Sequence, residues 1–510
     1  MKIVYLPLDE RPCNYAFAQR IAEGTPVRLA VPPIDILGRK KMPADADAVR
    51  AFLLRECQGA DALVLSLDML LYGGIVPSRL HGLPGAELDR RLETVREIKQ
   101  ANPTLRIYAF ALIMRCPSYS SADEEPTYYE LCGREIFLTG QVKYKSEHGL
   151  LSPEETEAAL AAYGEKTEPY LADYENRRRV NRGMLEKILT GYRDAFRVLV
   201  IPQDDSAPYG YTTADREYLK AVIARSGGED VPMYPGADEV GMTLLSRAAC
   251  ELTGRFPAIL PLFPHPSAPG VVPLYEDRPV GETLPLLLQT SGCRIVSDEN
   301  GTTADIHLYL NYPASDPVEA GQTQTEGYRL RNLTAFAEGI VADTTAGRCV
   351  AVADGAFCNG GDAAFMRLLA DRMPLTALSS YAGWNTSSNT IGTAVAAAVF
   401  VWLFGRTDAT ERFIAERLYE DIGYCGYVRA EATALIREMG KGYGYFNAGE
   451  TDGEVAGLVR ERLAHYMDEH FPEVAGLYEI DRLRMPWKRM FEIDLTLRER
   501  APSAEEHTRL

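Results

Sequence analysis

Arg197-Val198-Leu199-Val200-Ile201, followed by Pro202-Gln203-Asp204-Asp205-Ser206, is the stretch that decides the fold. The unbroken apolar run Val198–Ile201 reads as a strand buried on both faces, which is the mark of a parallel sheet covered by helices. Two adjacent carboxylates follow at once. At the carboxyl end of a parallel strand, neighbouring loops converge on such groups and perturb their proton affinities. Val231-Pro232-Met233-Tyr234 repeats the pattern, with Gly236-Ala237-Asp238-Glu239 after it.

Similar runs recur outward from this point. Strands are expected at Ile3–Leu6, Val27–Val31, Ala62–Leu67, Ile107–Ile113, Val198–Ile201 and Pro232–Tyr234. Further on they fall at Ala258–Leu262, Val271–Leu274, Arg294–Val296, Ile306–Leu310, Cys349–Ala353 and Leu375–Leu378. Amphipathic stretches such as Glu87–Gln100, Asp215–Ala224 and Ala363–Arg372 lie between them. This alternation predicts an α/β protein with parallel sheets, built as two Rossmann- or flavodoxin-like halves. A (β/α)8 barrel with an extra domain is the alternative. The expected organisation is a first half over 1–255, a second over 256–398 and a mainly helical region over 399–510. A polar, helical insertion is expected at 118–190, and Ser152-Pro153-Glu154-Glu155 within it reads as a helix start, with Ser as cap and Pro in the first turn. Met485–Leu495 reads as a terminal strand, and 501–510 as a frayed end.

The halves echo one another. Leu6-Pro7-Leu8-Asp9-Glu10-Arg11-Pro12 is matched by Pro273-Leu274-Tyr275-Glu276-Asp277-Arg278-Pro279, each before a helical stretch. A duplicated α/β unit and chance likeness between βα repeats both account for this.

Composition narrows the function classes. The chain has 510 residues, 46% of them hydrophobic, and a formal net charge of -18. Such a polyanion is repelled by phosphate backbones and anionic membranes, so neither nucleic acid nor membrane is expected as a partner. The apolar stretch Ala394–Phe404 is about half the length of a membrane span. The first residues enter a strand without a signal peptide, which predicts a cytoplasmic protein. Nine cysteines without C-x-x-C spacing and seven dispersed histidines give neither a disulfide framework nor a zinc motif.

Several polar constellations sit at strand ends. Asp204 and Asp205 are the candidate catalytic pair, one as acid/base and one as orienting group, as in substrate-assisted hexosaminidases. Asp238 and Glu239 precede an apolar helix, where acids also serve as caps. Asp9 and Arg11 end the first strand, and Arg11 suits a carboxylate, a phosphate or sugar hydroxyls. Asp68 and Arg79 flank Tyr72-Gly73-Gly74, which is not a dinucleotide fingerprint. Arg115 is the cation at the end of its strand. Asp354 precedes a glycine-rich turn. Trp384, Asn385 and Asn389, in Tyr381-Ala382-Gly383-Trp384-Asn385-Thr386-Ser387-Ser388-Asn389, offer an exposed stacking face and paired amides for a sugar.

The Leu-Asp-Glu-Arg-Pro start, the Asp68…Tyr72-Gly73-Gly74…Ser78-Arg79 block, Gln203-Asp204-Asp205 and Gly383-Trp384-Asn385-Thr386…Asn389-Thr390-Ile391-Gly392 together resemble a bacterial family, domain of unknown function number 4127. The resemblance spans nearly the whole chain. It implies a cytoplasmic or cell-associated bacterial protein of this length and brings no defined activity with it.

The expected function is hydrolysis of a small carbohydrate or aminosugar conjugate. Asp204 and Asp205 do the chemistry, while Asp9, Arg11, Asp68, Arg79, Arg115, Asp238, Glu239, Asp354, Trp384, Asn385 and Asn389 bind the substrate. No cofactor is expected. Two alternatives stand beside it: a Mg- or Mn-dependent hydrolase or lyase with Asp9, Asp204, Asp205, Asp238 and Asp354 as ligands, and a non-catalytic protein that binds a small polar molecule.

Overall fold

The apolar runs form two parallel sheets of the same design. The computed structural model describes residues 1–226, 231–297 and 303–500; residues 501–510, expected to fray, lie outside them. Two compact units result. Met1–Phe256 with Tyr275–Cys293 makes the first, and Pro257–Leu274 with Arg294–Leu510 the second.

In the first unit the strands are β1 (Lys2–Leu6), β2 (Arg28–Ala30), β3 (Ala62–Ser66), β4 (Arg106–Phe110) and β5 (Val198–Val200). They pair in parallel in the order β2-β1-β3-β4-β5. In the second unit they are β6 (Ala258–Leu262), β7 (Arg294–Ile295), β8 (Ile306–Leu310), β9 (Cys349–Ala353) and β10 (Ser380–Ala382). Their order is β10-β9-β8-β6-β7, again all parallel. Counted from its own first strand, each sheet therefore reads 2-1-3-4-5, the flavodoxin-like winding. Both sheets are open, and no closed barrel forms among the described residues.

The sequence echo falls at equivalent places in this winding. Pro12 opens the helix Pro12–Ala22 after β1, and Pro279 caps the helix Val280–Thr290 after β6. The latter helix groups with the first unit. A shared strand order together with a shared Arg-Pro, preceded by an acidic residue, at the opening of the next helix favours duplication over chance.

Three expected strands are absent. Pro232–Tyr234 runs beside the end of β5 as irregular chain, through Ile201 N–H to Pro232 O at 3.0 Å and Gln203 N–H to Tyr234 O at 3.0 Å. Pro232 and Pro235 lack the N–H groups that a ladder needs. Val271–Leu274 joins no strand ladder and ends in a turn at Leu274, and Leu375–Ala377 is a single 3-10 turn that precedes β10. The C-terminal strand is instead a hairpin, Tyr478–Arg484 against Asp494–Glu499. Pro486 and the left-handed Trp487 and Lys488 turn the intervening chain.

Between β4 and β5 stand two long helices, Tyr129–Glu147 and Pro153–Gly191. Ser152 caps the second through Glu155 N–H, and Glu155 returns the bond to Ser152 N–H, closing a capping box. In the second unit Ser387–Phe404 is a helix long and apolar enough to cross a membrane, and 83% of it is buried. Among the described residues the nine cysteines form no disulfide.

Helix Val240–Thr253 lies on the first sheet with Gly241 against Tyr5. A Cβ at Gly241 would come 2.3 Å from the Tyr5 hydroxyl, which donates to Asn14 O at 2.8 Å. Helix propensity by itself favours alanine by about 1 kcal/mol, but overpacking costs about 1–3 kcal/mol. Gly241→Ala is therefore expected to lower the denaturant midpoint, and a raised midpoint would refute the close packing.

Candidate functional site

Parallel strands deliver their carboxyl ends to one edge of a sheet, and in the first unit that edge carries most of the candidate residues. After β1, Asp9 and Arg11 meet Asp238. Arg11 Nη2 lies 2.7 Å from Asp9 Oδ2 and 2.6 Å from Asp238 Oδ1. Asn14 Nδ2 donates to both carboxylates, at 3.0 and 2.8 Å. All four side chains are buried. One guanidinium and one amide thus satisfy two carboxylates, which fixes the first helix to the segment before Val240–Thr253.

A second cluster opens toward solvent. Arg79 Nη2 lies 2.6 Å from Asp204 Oδ2, and its Nη1 is 2.8 Å from Glu124 Oε2. Arg115 reaches Glu125 Oε1 at 2.8 Å, Asp205 Oδ2 at 3.0 Å and Glu124 Oε2 at 3.1 Å. The two arginines are buried, whereas the Asp204 and Asp205 side chains are 18% and 20% exposed. Two buried guanidiniums therefore face four carboxylates, of which Glu124, Asp204 and Asp205 are partly exposed and Glu125 is buried.

That imbalance raises proton affinities. Burial, helped by the charge of Asp204, pushes the Asp205 carboxyl up to about 6 against the pull of Arg115 and Arg79. Burial pushes Asp68 up to about 7; its Oδ2 accepts from Leu112 N–H at 2.9 Å, and it sits in the short helix Leu67–Tyr72 after β3. Burial also raises Glu125. Asp205 itself has φ 43, a left-handed backbone that costs a non-glycine residue about 1–2 kcal/mol. Such conformations cluster at functional sites.

The loop behind these residues is tied down from both sides. Glu10 Oε1 accepts from Lys40 N–H at 2.9 Å, and the Lys40 ammonium pairs with Asp123 beside Glu124. Lys41 Nζ donates to Glu125 O at 3.0 Å. On the other side, Gln203 Oε1 accepts from Arg278 Nη2 at 3.0 Å, and Arg278 Nε pairs with Asp277 at 2.7 Å. The two echoed Asp-Arg pairs thus act as braces within the first unit. Tyr119 is 42% exposed and close enough to Arg115 and Asp205 for their charges to act on its phenol.

Glu239 is not at the surface. It is fully buried, its Oε2 accepts from Ala237 N–H at 3.0 Å, and its Oε1 has no hydrogen-bond partner among the described residues. Burial raises it to about 8.

The remaining candidates belong to the second unit, where the sheet edge is closed. Asp354, after β9, accepts from Asn311 Nδ2 at 2.8 Å, Asp362 N–H at 2.7 Å and Tyr381 OH at 3.1 Å. Arg331 Nη1 joins Asn311 and Asp362. Asp421, within the π-helix Leu418–Val428, accepts from Gly383 N–H at 2.8 Å and pairs with the buried Arg417 at 2.9 Å. Burial lifts both Asp354 and Asp421 to about 7. Trp384, expected as an exposed platform, is only 6% exposed, and its indole N–H donates to Thr393 Oγ1 at 3.2 Å. Asn389 is buried, and Asn385 has φ 53.

Reading the sequence missed Glu124, Glu125, Asn14 and Asp421. The run Asp123-Glu124-Glu125-Pro126 was the available signal for the first two, and the Arg417/Asp421 spacing of four on a helix for the last. Among the described residues no three His, Cys, Asp or Glu side chains gather as a metal-ligand set. Of the carboxylates considered for a shared Mg or Mn, Asp9 and Asp238 are tied to Arg11. Asp354 lies in the other unit.

A profile described as protein of unknown function (DUF4127) matches residues 3–496. The chain belongs to this family. No curated protein and no solved structure matches it. For this DUF4127 member the site must accordingly be judged on its own chemistry.

The raised Glu239 carboxyl makes a pH prediction. The folded state keeps a proton that the unfolded chain releases near 4.5, so the native state binds more protons until pH passes about 8. The stability it contributes is present below that window and lost as pH rises through it. In urea melts, Glu239→Gln should gain on the parent by about 1–3 kcal/mol between pH 5 and pH 9. A constant difference across that range would mean that Glu239 does not titrate there.

Proposed function

We propose that the protein is a hydrolase of a small carbohydrate or aminosugar conjugate, working in the cytoplasm with Asp205 as acid/base and Asp204 as orienting group. The observation that carries this reading is the Asp204–Asp205 pair itself. It is partly exposed at the end of β5, braced by two buried arginines, and Asp205 is poised near pH 6. A group with that proton affinity can both give and take a proton near neutrality, which is worth about 10²–10⁴ in rate.

The residues suit a substrate-assisted route on an N-acetylated sugar. Asp205 gives its proton to the glycosidic oxygen as the anomeric C–O bond breaks. The acetamido carbonyl oxygen bonds to the anomeric carbon, while Asp204 accepts a hydrogen bond from the amide N–H. Water then adds to the anomeric carbon and passes a proton back to Asp205, which restores the acetamide. Tyr119 offers the aromatic face for the sugar ring. Arg79 and Arg115 hold the two carboxylates in place.

A panel of chromogenic glycosides tests this. Asp205→Asn and Asp204→Asn should each lower kcat by about 10²–10⁴ while the proteins still unfold cooperatively. The parent rate should fall as pH rises through about 6, where Asp205 loses its proton. Unchanged turnover in both variants rejects the assignment. Saturable sugar binding without turnover would make the protein a ligand-binding module instead.

A further inference from the structure

The carboxylate cluster of the first unit depends on a stretch with no regular secondary structure. Segment 122–125 carries Glu124 and Glu125 to Arg79 and Arg115, yet no helix or strand runs through it. Its course is set by side chains. Ala122 N–H donates to Glu130 Oε2 at 3.0 Å, and Asp123 N–H to Ser121 Oγ at 3.2 Å. The other anchors come from a turn far away in the chain.

That turn lies between Arg39 and Met42, whose N–H and C=O groups exchange bonds at 2.9 Å in both directions. Gly38 has φ 74, and a Cβ there would lie 2.3 Å from Met42 O, so the turn needs glycine at that point. Its base is held by Ala44 N–H, which donates to Gly73 O at 3.1 Å. The two residues at the tip are Lys40 and Lys41. The Lys40 ammonium pairs with Asp123. Lys41 Nζ donates to Ala122 O and, at 3.0 Å, to Glu125 O. These two carbonyls bracket Asp123 and Glu124, and hydrogen bonds from an ammonium are stronger than neutral ones.

We infer that Lys41 is a positioning residue of the proposed site: by clamping the backbone of segment 122–125 it keeps Glu124 and Glu125 on the two arginines that also hold Asp204 and Asp205. The inference rests on the reading of Asp205 as the acid/base and adds the group that keeps its surroundings in place.

The sign of the effect separates this role from simple charge removal. Asp205 faces Arg115, Arg79, Asp204, Glu124 and the Tyr119 phenol. Lys41 faces Lys40, Asp123, Glu124 and Glu125. Removing a nearby cation by itself raises a carboxyl's proton affinity. Releasing Glu124 and Glu125 does the opposite, because Asp205 loses an anionic neighbour while Arg79 and Arg115 turn wholly to Asp204 and Asp205.

Carbon-13 NMR of the full chain labelled at its aspartate carboxyls, with the Asp205 signal assigned by its loss in Asp205→Asn, reads this directly. Lys41→Met should move the Asp205 midpoint down from about 6 by about one pH unit. Lys41→Arg, which can keep both bonds, should hold the parent midpoint. Glu124→Gln should give a similar downward move, and Lys41→Met should add little to it, since both remove the same neighbour. Thermal melts check that each variant is folded. A midpoint that stays or rises in Lys41→Met overturns the inference, as does a Lys41→Met effect that adds in full to that of Glu124→Gln. The measurement needs no substrate, so absent glycoside turnover in the parent would reject the hydrolase while the Lys41 comparison stands or falls by itself.

Discussion

Four carboxylates within reach of one another repel, and taking them out of water adds a desolvation cost that repulsion alone would never repay. Glu124, Glu125, Asp204 and Asp205 nevertheless converge, because Arg79 and Arg115 stand beneath them, buried, and bond to all four. The compensation is incomplete by charge. What remains appears as raised proton affinity at Asp205 and Glu125. A strained backbone at Asp205 accompanies it. A fold that needed only stability would replace such a group with apolar side chains at little loss.

The same solution recurs in a closed form. Arg11 joins Asp9 and Asp238, and Arg417 joins Asp421, but there the side chains are buried and each acceptor is tied to the protein itself. These networks hold helices to sheet ends. Of these three networks, the Arg79–Arg115 cluster is the one that leaves carboxylates partly exposed, and the proposed chemistry is placed there for that reason. The common strand order of the two sheets gives the pattern a simple origin: an α/β unit that puts loops at one edge, used twice.

Local signals in the chain were sufficient for much of this. The β5 run and its Asp204-Asp205 ending are contiguous, so the apolar pattern and the charge step can be read together. Ser152 announced its helix because a capping box lies within four residues. Pro232–Tyr234 shows where such reading fails: it is apolar enough for a strand, yet Pro232 and the adjoining Pro235 lack donors that pairing requires. Trp384 fails for another reason. Its polar neighbours look like an exposed loop, but burial of a side chain is set by whatever packs over it, here including Thr393.

The sequence by itself determined the α/β class, the parallel winding and the placing of acids at strand ends, since each depends on residues adjacent along the chain. Tertiary structure alone decided which acids share a guanidinium and which stay in reach of water. Glu124 and Asp204 are 80 positions apart, and no local periodicity records that both would meet Arg79.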